Sequence, residues 1–156
     1  GRTVYGGGGI MPDIFVPNDT TGITSYYINV ANAGLLQKFA FDYVDANRDK
    51  LGDVSSVEQL EKLLPADDTL LRQFVNFAAR NGVSARWYYI NISHDLIVNQ
   101  LKALIARDVL DYTAYFTIVN RMDANVNKGV EELLNGGAAF PIAAPKSQTT
   151  EEEAKK

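Results

Sequence analysis

Apolar residues along the chain recur mostly by threes and fours, which is the spacing of one face of an α-helix. A polar turn, Asn18 to Gly22, precedes the first such segment, and Thr24 or Ser25 is a fitting N-cap for a helix beginning at Tyr26. Gly34 breaks or kinks it, and a stronger stripe follows: Leu36, Phe39, Ala40, Tyr43 and Val44. Asn47 to Asp53 is a polar loop with Gly52 as a stop signal. Ser55 or Ser56 then caps a short helix that turns Val57, Leu60, Leu63 and Leu64 inward, and Pro65 ends it. Asp67 caps the next helix, with Leu70, Phe74 and Phe77 in one row and Leu71, Val75 and Ala78 in the adjacent row. Arg80-Asn81-Gly82 is the exit expected of a helix C-terminus.

Arg86 to Ile92 has no clear helical stripe and reads as a strand or an extended loop laid over the bundle. Ser93 caps the longest helix, through about Arg107, on the stripe Ile97, Leu101, Leu104 and Ile105. Asp111 caps a helix carrying Tyr112, Tyr115, Phe116 and Val119. Asp123 caps a last one with Val126, Val130, Leu133 and Leu134, stopped by Gly136-Gly137. From Ala138 the pattern dissolves into a Pro-containing segment and a charged ending that read as a flexible tail. At the other end two short strand-like runs, Thr3 to Tyr5 and Ile14 to Val16, flank the glycines Gly6 to Gly9. Those glycines suit a tight corner, and Pro12 and Pro17 bar central strand pairing. The fold class is therefore mainly α: a bundle of about six helices behind a short extended N-terminal arm. The domains are an arm over 1–19, a helical domain over 20–137 and a tail over 138–156.

Composition narrows the function classes. The 156 residues are enough for one domain with a sizeable core. A net charge of −4 argues against a nucleic-acid surface, which would carry a basic patch. With no cysteine, disulfides and thiolate-bound metals are excluded. No apolar run is long enough to span a membrane. The chain starts with Gly rather than Met and has no signal-peptide pattern, as a processed product or an excised piece would.

Candidate chemistry is sparse. Ser93-His94-Asp95 is a triad only on paper, because consecutive helical side chains diverge by about 100°. His94, the single histidine, falls in register with Ile97 and Leu101 and reads as a hydrogen-bonded, partly buried side chain rather than a metal ligand. Asp45, Asn47 and Asp49 have the spacing that opens a calcium loop, but Lys50 and Ser56 stand where such a loop needs Gly and Glu. Gly6 to Gly9 lack the Gly-Lys-Ser/Thr of a phosphate loop. The sequons at Asn18 and Asn91 are chance matches, and Glu151 to Glu153 is a solvated run. Aromatic residues are dense, and core packing accounts for most of them. The exception is Trp87, Tyr88 and Tyr89, which sit outside a clear stripe and are the candidate contact residues for a peptide or partner.

GR-x-VYGGGGI-x-PDI-x-VP over Gly1 to Pro17 resembles the segment that closes the catalytic domain of bacterial C-terminal processing (tail-specific) serine proteases. Leu101 to Leu134 is similar to the C-terminal helical region in one branch of that family, though half of this match is plain amphipathic periodicity. Together the two stretches cover about a third of the chain. The resemblance implies an envelope or periplasmic endopeptidase as the parent, with a Ser nucleophile, a Lys base, no cofactor and a PDZ-type module that adds the substrate tail as a strand. It places that Ser/Lys pair before this chain, so no catalytic residue is assigned within it. The bundle is then expected to be a structural or regulatory region, inactive alone, partnered by the protease core and through it by protein substrates, and open to homo-oligomerisation. The alternative is an independent helical module that binds a peptide or protein on an aromatic groove. The arm's state separates the two: disorder or pairing with a second copy favours the first, and a well-packed arm beside an open groove favours the second.

Overall fold

The computed structural model describes residues 14–17 and 20–135. The glycine corner, Arg2, the run Thr3 to Tyr5, Pro12, the sequon at Asn18 and the tail lie outside the described residues. Within them are nine α-helices and one 3₁₀ turn, and no strand. The mainly-α bundle read from the periodicity is the observed fold.

The helices are α1 (Ser25–Asn32), α2 (Leu35–Ala46), α3 (Arg48–Leu51), α4 (Val57–Leu63), α5 (Asp67–Arg80), α6 (Trp87–Ile92), α7 (His94–Val109), α8 (Tyr112–Val119) and α9 (Ala124–Leu134). The 3₁₀ turn, Asn120–Met122, joins the last two. Local chemistry sets most boundaries. Thr24, Ser56, Asp111 and Asp123 each cap a helix with a side-chain oxygen that accepts a backbone N–H. Gly34, at φ +67°, separates α1 from α2. Gly82, at φ +93°, ends α5 while its own N–H donates to the Ala79 carbonyl and that of Val83 reaches back to Ala78. That pair of bonds is the Schellman closure that a left-handed residue permits.

Helix α7 is the axle. Ile97, Val98, Leu101, Ala103, Leu104, Ile105 and Ala106 are all buried, so it is apolar nearly all the way round. Helices α2 and α8 pack along it most extensively, while α4, α5 and α6 also touch it. An aromatic knot fills one side: Phe39 meets Phe74 and Phe77 edge-on, each at 5.5 Å between ring centres.

Five expectations are corrected. Asn47 to Asp53 is not wholly a loop, because burial of Leu51 holds the helical turn α3 together. Leu63 is exposed, and Val57, Leu60 and Leu64 supply that helix's contact with the core. Asp67 is the first residue of α5 rather than its cap; Ala66 holds the cap position and Asp67 gains only from the helix dipole. On α8 the buried positions are Ala114 and Ile118, which turns Tyr112 and Phe116 outward. The apolar row of α9 is exposed among the described residues, since among the helical elements the 3₁₀ turn alone packs closely against that helix.

Candidate functional site

Arg86 to Ile92, expected to be extended, contains α6. The strand preference of its aromatic and β-branched residues loses to packing. Ile90 is fully buried, and so is Ser93 just after it, three residues on, as one helix face requires. The opposite face carries Tyr88 and Ile92, with Asn91 beside them, and is exposed; Trp87, three residues before Ile90, borders the buried face and is half-exposed. Tyr88 is 74% exposed and Trp87 48%, with Tyr89 at the border and edge-on to Tyr88 at 5.3 Å. The three candidate contact residues therefore share one short helix, with Tyr88 alone on the face opposite Ile90. The cleft lined by Tyr26, Val83 and Arg86, at the start of α6, does not include them.

What holds this surface in place is a cluster of hydroxyls that the sequence reading assigned only to capping. The Ser93 hydroxyl donates to the Gly22 carbonyl at 2.6 Å. It also lies 2.7 Å from the Thr24 hydroxyl. With the Ser93 proton given to Gly22, the single Thr24 proton serves the Ser93 oxygen or the Tyr89 carbonyl 3.3 Å away, and Thr24 accepts from the Tyr27 N–H. Both side chains are buried, which makes each bond costly to lose. Ser93 makes no capping bond to α7; its hydroxyl is spent tying residues 22–24 to the α6–α7 junction. Two residues read independently as N-caps, 69 positions apart, were the signal available in the sequence.

This geometry disposes of the triad on paper. The Ser93 oxygen faces inward to Gly22, whereas the His94 ring lies between two carboxylates. His94 Nδ1 is 2.7 Å from Asp95, and Nε2 is 3.1 Å from Asp68 on α5. Both ring nitrogens can donate to their carboxylates at once only in the imidazolium form. The hydrogen bond to Asp95 is the largest cause of a raised His94 pKa; partial burial opposes it and Asp68 adds to it. Beside this pair, Lys102 and Asp67 also join α7 to α5, at 2.6 Å.

A cleft of about 540 Å³ lies between α2, α3 and the end of α7, lined by Phe41, Arg48 and Asp108 among others. Its charges are already matched locally, Arg48 with Asp45 and Asp108 with Arg107, each at 2.8 Å. Asp45, of the calcium-like spacing, is thus engaged with an arginine, and no group of His, Asp and Glu among the described residues could hold a metal ion. No described helix is long and apolar enough to cross a membrane. What the described residues show here is a set of exposed aromatic side chains on a hydrogen-bonded junction.

Residues 26–111 match a family of unknown function (DUF8443), so the match covers more than half of the chain, from α1 to the residue that caps α8. No curated protein and no solved structure matches it.

Proposed function

The chain belongs to that family of unknown function, and we propose that it is the C-terminal helical region of a bacterial C-terminal processing serine endopeptidase, structural or regulatory and without catalytic residues of its own. The observation that carries this reading is GR-x-VYGGGGI-x-PDI-x-VP at Gly1 to Pro17, the more specific of the two resemblances. The hydroxyl latch supports it. Where the chain passes from the arm into the bundle, Gly22 and Thr24 are fastened to the α6–α7 junction rather than left hanging. In the parent, the Ser nucleophile and Lys base act upstream, in the periplasm or cell envelope, and the bundle braces the core or gates substrate access.

The test is cleavage of an unstructured peptide by the full-length parent and by the parent truncated after Pro17, with residues 18–156 added back separately. We expect truncation to abolish or deregulate cleavage. Normal cleavage by a folded, truncated enzyme would sink the reading. A parent with no endopeptidase activity at all would do the same.

A second reading is favoured by one observation, the exposure of Trp87, Tyr88 and Ile92 on α6. It makes the bundle an independent module that takes a peptide or partner protein on that face. Retention of a peptide by the isolated bundle, lost in Trp87→Ala, is the result it requires.

A further inference from the structure

The arginines of the described residues divide into two groups. Arg48, Arg107 and Arg121 each pair with a carboxylate, at 2.6–2.8 Å. Arg72, Arg80 and Arg86 make no ion pair, hydrogen bond or ring contact among the described residues. The three idle ones are consecutive in the chain, and the reason is local: between Asp68 and Asp95 there is no Asp or Glu. The same holds between Asp19 and Asp42. In a chain of net charge −4, these two segments carry only positive charge.

The two segments meet at a hollow of about 420 Å³. Ser25 and Asn29, one helical turn apart, come from α1, while Ser84 and Arg86 come from the connection between α5 and α6. No carboxylate lines it, whereas Asp45 and Asp108 line the cleft beside α2. The donors suit an oxyanion: Arg86 offers a planar fork of N–H groups, each serine a hydroxyl and Asn29 a carboxamide. None of these side chains is committed elsewhere among the described residues. All four are exposed, so the hollow is open to a group carried on a larger molecule. Trp87 and Tyr88 follow Arg86 directly and are exposed as well, which gives the neighbours of such a group apolar surface to rest on. A peptide supplies both parts, and a free phosphate supplies only the first.

We propose that this hollow seats a side-chain carboxylate of an acidic peptide, with Arg86 as the charged contact and Ser25, Asn29 and Ser84 as flanking donors. The inference deepens, and rests on, the reading of the bundle as a peptide-binding module; it is independent of protease activity.

Amide NMR on residues 1–156 tests this, with a blocked peptide Gly-Glu-Glu-Phe-Gly and its Gln-Gln counterpart as probes. We expect the Glu peptide to move the amides of Ser25–Asn29 and Gly82–Arg86 saturably, and the Gln peptide to bind at least about tenfold more weakly. Arg86→Gln should weaken the Glu peptide as much without moving the melting midpoint, because the side chain makes no bond in the bundle. Arg72→Gln, in the same acid-free segment but outside the hollow, should change affinity by less than about twofold. Equal losses in the two variants would reduce the effect to diffuse charge and overturn the proposal. So would saturation by inorganic phosphate with no response to the Glu peptide. Binding that appears only once 138–156 is deleted would also overturn it, by making Glu151 to Glu153 the occupant. Trp87→Ala separates the proposal from the reading beneath it. Binding of both peptides that is lost in Trp87→Ala and kept in Arg86→Gln removes the carboxylate seat and keeps the aromatic face. Glu-selective binding that survives Trp87→Ala and is lost in Arg86→Gln does the reverse, and no binding of either peptide removes both.

Discussion

His94 shows how little a short motif says before its neighbours are known. Its two nitrogens face Asp95 and Asp68, and its pKa is raised chiefly by the bond to Asp95. The folded form thus holds a proton more tightly than the unfolded chain, whose histidine titrates near about 6.5. The stabilisation is fully present below that pH and disappears as pH rises through the raised folded value. Both carboxylates are largely exposed, so the effect is small, below about 1 kcal/mol. Thermal melting of the wild type should fall slightly as pH rises from the acid side of neutrality to the alkaline side, and His94→Gln should flatten that slope. An equal slope in the variant would show that other groups set it. Tyr26 is the opposite case. Its hydroxyl is buried without a partner, and burial alone pushes its pKa to about 12. Tyr26→Phe removes an unsatisfied polar atom while keeping the ring. Chemical denaturation should find the variant as stable as the wild type or up to about 1 kcal/mol more so.

At the scale of elements, legibility followed the caps and the 3.6-residue rows. Thr24, Gly34, Ser56, Gly82, Asp111 and Asp123 all act where the sequence placed them, because a cap or a left-handed glycine is a local interaction. The α7 stripe was read correctly but too narrowly, since Ala103 and Ala106 are also buried. Small residues give a weak pattern signal even where neighbouring helices approach closely. Helix α6 was missed because six residues are too few to show a period, and Trp, Tyr and Ile each favour a strand when context is absent. The rows Tyr112/Phe116 and Val126/Val130/Leu133 were legible as stripes, but which stripe finds a partner depends on long-range packing. The latch was illegible for the same reason: nothing local in Ser93 says that its hydroxyl will serve Gly22 rather than α7. Ser93→Ala should therefore cost about 1–3 kcal/mol, more than loss of an exposed cap, because it strands a buried hydrogen-bonded network. A melting change within a few tenths of a kcal/mol would mean that the latch is ornamental. Gly82→Ala should cost about 1 kcal/mol through its positive φ alone, with open space around the added methyl.

For the molecule as a whole, the question is which of its uncovered surfaces works. The aromatic face of α6 and the joint beneath it are built from the same few residues, yet they can be separated. Trp87 and Tyr88 are exposed, so their loss to Ala should leave the melting midpoint unchanged within about 0.5 kcal/mol. The Ser93 and Thr24 hydroxyls lie inward, and their loss should loosen the hold of residues 22–24 on the α6–α7 junction. If the bundle serves by holding a fixed position on a protease core, kcat/KM of the full-length parent for an unstructured peptide should survive Trp87→Ala with Tyr88→Ala. It should drop in Ser93→Ala with Thr24→Val, at a temperature where both variants remain folded. The reverse pattern, a loss of cleavage confined to the aromatic variant with unchanged melting, would transfer the function to the α6 face. Residues 87–89 would then be the place where the partner binds.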